Sequence, residues 1–292
     1  MCKAFSCIAT RKKVYWKIGL DSHEDIKDKF KLNDNSDKLV PIEIIPVEGY
    51  MNMKNPKKYP KAWKFTFDDN CPDWWKQSHE KRCWKALELW YKEINKIIDW
   101  KYIKSIKNPL ETKPKKMTIK HIKSLKRWKE ANDSVWASVR DSVRASVWAS
   151  VWDSVGAYAR DSVRASVGAS VWDSVGHSVC DTVWDSVWDS VWDSVGDSVG
   201  DSVRDSVRDS VWDSAGAYAS YGFSINKWKH ITHKKGEYPY KCLVDLWKDG
   251  LVPSFDGKTW RIHAGRKAKI ILEISESDLA KKKPEDILKL LE

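Results

Sequence analysis

The sequence predicts an α+β domain over residues 1–100, a β-solenoid of tetrapeptide repeats over residues 133–220, and a small β-rich module over residues 221–292. A basic amphipathic helix and linker over residues 101–132 joins the first two. Three observations carry this division. A period of four runs without a slip from residue 133 to residue 220, alternating apolar segments lie on both sides of it, and the charge changes sign at the same boundaries. Residues 1–132 carry a net charge of +14, the repeats −8 and residues 221–292 +5, against +11 for the whole chain of 292 residues.

In the first part, Ala4-Phe5-Ser6-Cys7-Ile8 and Val14-Tyr15-Trp16-Lys17-Ile18 alternate around a basic turn, which predicts a hairpin. Ser22 followed by Asp25 resembles an acidic capping box and predicts a short helix running to about Leu32. Residues 40–47 and 63–67 supply two further strands. After Pro72-Asp73, the residues Trp75, His79, Cys83, Leu87, Trp90, Tyr91, Ile94 and Ile98 recur three and four apart, as an amphipathic helix docked on a sheet requires. Residues 101–130 then hold eleven basic and two acidic side chains. Ile119, Ile122, Leu125 and Trp128 recur every third residue among Lys120, Lys123, Lys126 and Arg127, so a basic amphipathic helix leads into the repeats.

Most of the 22 tetrads read Asp or Ala, then Ser, then Val, then a variable residue that is mostly Trp, Arg or Gly, while Ala157-Tyr158-Ala159-Arg160 and Ala217-Tyr218-Ala219-Ser220 depart from the pattern in the same way. A Val at every fourth position of an α-helix drifts by about 40° per tetrad, so a long helix has no fixed apolar face. Val, Ser, Asp and Gly also rank low in helix propensity. The expectation is therefore that the chain turns within each repeat, with Val pointing inward, the variable residue outward, and Asp and Ser oxygens accepting from turn amides. The array resembles the pentapeptide-repeat solenoid with one residue fewer per side, which implies a β-solenoid with an inward apolar column. After the array, Phe255-Asp256-Gly257-Lys258-Thr259-Trp260 signals a turn between apolar segments. Residues 246–274, together with residues 75–84, resemble a group of uncharacterised phage and prokaryotic proteins that carry variable low-complexity repeats between similar ends. That resemblance implies fixed end modules around an interchangeable array, and implies no known activity.

Composition narrows the function. Six cysteines without a C-x-x-C pair suit a reducing, cytoplasmic compartment, and no apolar run reaches the roughly 18 residues of a membrane span. Nothing resembles a phosphate-binding glycine loop, a nucleophile elbow or a paired-carboxylate site, so an enzyme is not expected. The leading expectation is a non-enzymatic repeat protein that presents Trp, Arg, Asp and Ser periodically to a protein partner of unknown identity. Trp136, Trp148, Trp152, Trp172, Trp184, Trp188, Trp192 and Trp212 occupy its variable position, and repeated exposed aromatics mark binding surfaces. The alternative is nucleic-acid binding, with Lys120, Lys123, Lys126 and Arg127 on phosphates and Trp128 stacking on a base. His79-Glu80-Lys81-Arg82-Cys83 resembles a metalloprotease H-E-x-x-H motif with Cys as its second ligand, and Cys71 supplies a third donor. His79 and Cys83 also lie on the apolar stripe, so core packing is the first reading of this trio and zinc the second. No other cofactor is called for.

Overall fold

A computed structural model describes residues 5–33, 38–46, 63–146 and 208–291, with Ser166, Val167, Ser170, Val171, Ser174, Val195 and Val199. They fall into two compact units. The first holds the described residues up to Trp100 with Val171 and Ser174; the second holds the remainder. Among the described residues no helix is long and apolar enough to cross a membrane.

The first unit is a four-stranded antiparallel sheet in the order β2-β1-β3-β4, made of β1 (Phe5–Ala9), β2 (Val14–Tyr15), β3 (Val40–Pro46) and β4 (Trp63–Phe67). The β1–β2 turn closes because Thr10 Oγ1 accepts from the amides of Lys12 and Lys13. Helix α1 (His23–Phe30) starts where Ser22 Oγ accepts the Asp25 amide at 3.0 Å, and Asp25 Oδ2 accepts the Ser22 hydroxyl in return. Helix α2 (Gln77–Ile97) buries His79, Cys83, Leu87, Trp90, Tyr91 and Ile94, the face that the three-and-four spacing picks out. All five residues of β1 are buried, because the strand is covered on both faces. Ile8 packs with Ile26 of α1 and Leu39, while Phe5 meets Trp90 of α2 at 5.5 Å between ring centres.

The second unit contains α3 (Trp100–Ser105) from Lys101 onward, α4 (Ile119–Ser146), α5 (Arg208–Ser220) and α6 (Lys241–Lys248). A three-stranded antiparallel sheet follows, in the order β5-β6-β7, from β5 (Leu251–Phe255), β6 (Thr259–Ala264) and β7 (Lys269–Ser275). After the sheet come α7 (Glu276–Lys281), α8 (Pro284–Leu288) and a 3-10 turn (Lys289–Leu291). The β5–β6 turn forms because Asp256 Oδ1 accepts the amides of Lys258 and Thr259, while its Oδ2 holds Arg261 at 2.6 Å. Helix α6 packs on α4, α5 and β5, with Trp247 fully buried.

Among the described residues no β-solenoid is formed: they make a mixed α and β fold with two small open antiparallel sheets, and the described repeat residues are helical. Helix α4 crosses residue 133 without a break and continues to Ser146, and α5 covers the last repeats. Two physical facts overturn the expectation. A drift of about 40° per tetrad spoils a single long helix, but the 13 residues of α5 span about three tetrads, and an apolar stripe is itself about 100° wide. A period of four is also the i→i−4 register of helical hydrogen bonding, which places each Ser hydroxyl over the carbonyl of the Ser before it. Ser170 Oγ bonds the Ser166 carbonyl at 2.6 Å, and Ser214 Oγ bonds that of Ser210 at 2.8 Å. Ser166, Ser170 and Ser214 are buried, as are Val135, Val167, Val171, Val195, Val199 and Val211. The hydroxyls that were expected to satisfy turns instead satisfy the helix itself.

Candidate functional site

The first part of α4 sorts its residues by face. His121, Ile122, Ser124, Leu125 and Trp128 are buried, while Lys120, Lys123, Arg127 and Glu130 are exposed. The spacing of three and four that puts Lys120, Lys123 and Arg127 on one side also puts Trp128 in the core, where its ring centre lies 6.0 Å from that of Tyr240. The helix start is fixed by His121. Its Nδ1 accepts the Thr118 amide at 3.1 Å, so Nε2 carries the proton and donates to Asp249 Oδ2 at 3.1 Å. Burial works against ionisation of Asp249, but bonds from Lys115 and His121 outweigh it and hold the carboxyl below its usual range.

A groove of about 720 Å³ runs along this exposed face. Lys120, Lys123 and Arg127 line one wall; residues 231–233 and 237–239, with Lys241, Cys242 and Asp245 of α6, line the other. Lys241 is neutralised by Asp245 at 2.6 Å, whereas among the described residues Lys120, Lys123 and Arg127 are in no ion pair. The groove therefore offers three uncompensated cations in a row, with Glu130 and Glu237 further along its lining. Cys242 is no nucleophile there, since burial pushes its thiol up to about 11. His233 is spent on the loop: it accepts the Trp228 amide at Nε2 and donates from Nδ1 to the Lys234 carbonyl, both at 2.8 Å.

Two residues expected on phosphates and bases do other work. Lys126 donates to the carbonyls of Ala280 and Lys282, closing the end of α7, and Trp128 is 2% exposed, too buried to stack on a base. The trio Cys71, His79 and Cys83 does not converge. His79 Nδ1 accepts the Lys76 amide at 2.8 Å as part of the α2 cap, Cys83 is buried against Cys7, and Cys71 is exposed. Among the described residues the one group of three metal-binding side chains with ligand atoms close together is His23, Glu43 and Asp68, which sequence spacing does not reveal. Trp148, Trp152, Trp172, Trp184, Trp188 and Trp192 lie outside the described residues, and Trp136 and Trp212 are described as helical backbone alone.

A Ser–His pair lies in the C-terminal sheet. Ser254 on β5 donates to His263 Nε2 on β6 at 2.8 Å, and His263 Nδ1 donates to the Ala268 carbonyl at 3.0 Å. The polarity is that of an activated nucleophile, but Ser254 is 1% exposed and His263 0%, so no substrate reaches it. The pair ties two strands and a turn together. Burial holds the His263 pKa below its ordinary value, and the Arg261 charge adds to this against the bond to Ala268. Because the folded value is the lower one, the unfolded chain takes up the proton first. Stability from this group is complete above about pH 6.5 and is lost as pH falls from there through the folded pKa. Guanidinium midpoints should drop between pH 7 and pH 5, and the drop should shrink in His263→Gln; an equal drop in that variant would show the pair to be irrelevant to it.

No protein-family model, curated protein or solved structure matches the chain.

Proposed function

We propose that the protein is a non-enzymatic nucleic-acid-binding protein that seats a single strand along the α4 groove. The observation that carries this reading is the row of Lys120, Lys123 and Arg127 on one exposed helix face, uncompensated among the described residues, along a groove of about 720 Å³. Such a row contacts phosphates without reading sequence, since each cation releases condensed counterions when it meets the backbone. Recognition is then electrostatic. The aromatic contribution expected from Trp128 is absent because that ring is in the core.

Fluorescence anisotropy with labelled single-stranded RNA and DNA tests the reading. Three phosphate contacts predict a slope of log K against log salt of about −2, or roughly a 20-fold loss of affinity between 50 and 200 mM salt. Replacing Lys120, Lys123 and Arg127 together by Ala should remove nearly all of that slope. Absence of binding at low salt, or an unchanged slope in the triple variant, would overturn the proposal. Lys269→Ala, on β7 away from the groove, serves as the control that should bind normally.

A further inference from the structure

We propose that His23, Glu43 and Asp68 of the first unit form a binding site for one divalent transition-metal ion. It is independent of the nucleic-acid reading. The three side chains come from positions fixed by backbone structure. His23 opens α1 just after its Ser22 cap, Glu43 lies within β3, and Asp68 directly follows β4, where its amide donates to the Pro41 carbonyl at 3.2 Å. In the β3–β4 register Glu43 faces Thr66, so Asp68 is its diagonal neighbour on the same face of the sheet. The imidazole of His23 completes the group, and the ligand atoms of all three lie within 4.8 Å of one another.

Two arguments identify the missing partner. The first is the tautomer. His23 Nε2 lies 3.2 Å from the Ile42 carbonyl, which only accepts, so Nε2 carries the proton. That leaves the lone pair of Nδ1 2.8 Å from Asp68 Oδ2, also an acceptor. Two acceptors in contact need a positive centre between them. A backbone carbonyl that fixes the distal N–H is the outer partner that metal-bound histidines use. The second argument is charge. Two carboxylates converge on one ring, and among the described residues neither is paired with Lys or Arg. A second proton on the ring leaves one negative charge over; a divalent cation balances both carboxylates. One imidazole nitrogen and two carboxylate oxygens suit Zn²⁺ or Mn²⁺. Bonds of about 2.0–2.2 Å to such an ion set its donors about 3–3.5 Å from one another, an adjustment of the 2.8 Å to 4.8 Å separations here that small rotations of Asp68, 40% exposed, and Glu43 provide. The exposed side remains open to water as a further ligand.

Calorimetric titration of the chelator-treated full chain with ZnCl₂, and separately with MnCl₂, tests the site. One ion per chain is expected for at least one metal, with affinity reduced at least about tenfold in Glu43→Gln and in Asp68→Asn. Both variants keep the side-chain shape and leave the His23 bond to Ile42 intact, so they carry the test even if His23→Gln fails to fold. Visible absorption of the Co²⁺-loaded chain should report nitrogen and oxygen ligands without sulfur. No stoichiometric uptake of either ion would overturn the proposal. Uptake unchanged in both variants would overturn it equally, by placing the ion elsewhere, and a thiolate band with Co²⁺ would point to the cysteines.

Discussion

Trp247→Ala should lower the stability of the second unit by about 3–5 kcal/mol, the range for emptying a fully buried aromatic site. The ring is 0% exposed, lies 5.0 Å from Tyr218 of α5, and belongs to a helix packed against α4, α5 and β5. No neighbouring element closes such a cavity without leaving another. Among the described residues the indole Nε1 has no hydrogen-bond partner, so the loss is one of packing alone. Trp247→Phe breaks no bond and should recover most of the difference. At roughly 2–4 °C per kcal/mol for a unit of this size, the alanine variant should melt about 6–20 °C lower. Peptide-resolved hydrogen exchange should show faster opening in β5–β7 and α4. A melting change under about 3 °C would contradict the burial on which the assignment rests.

What could be read from the sequence was local. The Thr10 turn, the Ser22–Asp25 cap and the buried face of α2 each depend on residues within one turn or one helix, and spacing exposes them. Even Trp128 was legible: three residues after Leu125 and seven after His121, it belongs with the buried face and not with the lysines. The fold of the repeats is hidden for a specific reason. Helix propensity is a property of single residues, while the coincidence of a four-residue repeat with the i→i−4 carbonyl register, seen at Ser166–Ser170 and Ser210–Ser214, is a property of pairs. His23, Glu43 and Asp68 carry no sequence signal, because 20 and 25 residues separate them, and only the β3–β4 register and the placement of α1 bring them together. Lys126 looked like its neighbours until the end of α7 came within its reach.

Gly250→Ala should cost the second unit about 2–6 kcal/mol, although it adds a single methyl group. Gly250 follows α6 with φ of +74°, a left-handed conformation that ends the helix and that a residue with a Cβ adopts at a cost of about 1–3 kcal/mol. Its amide donates to the Trp247 carbonyl at 3.0 Å, so the backbone cannot relax to negative φ without breaking the helix end. The added Cβ would also stand 3.0 Å from Pro114 Cα and 3.1 Å from the Thr112 carbonyl oxygen, both backbone atoms. That crowding adds about 1–3 kcal/mol. The segment it would displace also carries Lys115, which bonds Asp249 through its amide at 2.9 Å and its ammonium at 2.7 Å just before α4 begins. Gly257 separates the two costs, since its φ is +90° but nothing lies within 4 Å of its added Cβ. Gly257→Ala should therefore lose the conformational part alone, and urea unfolding of the two variants side by side isolates the crowding. If Gly250→Ala proves no more damaging than Gly257→Ala, the close approach of residues 112–114 to the end of α6 is wrong, and so is the route by which the chain enters the basic helix.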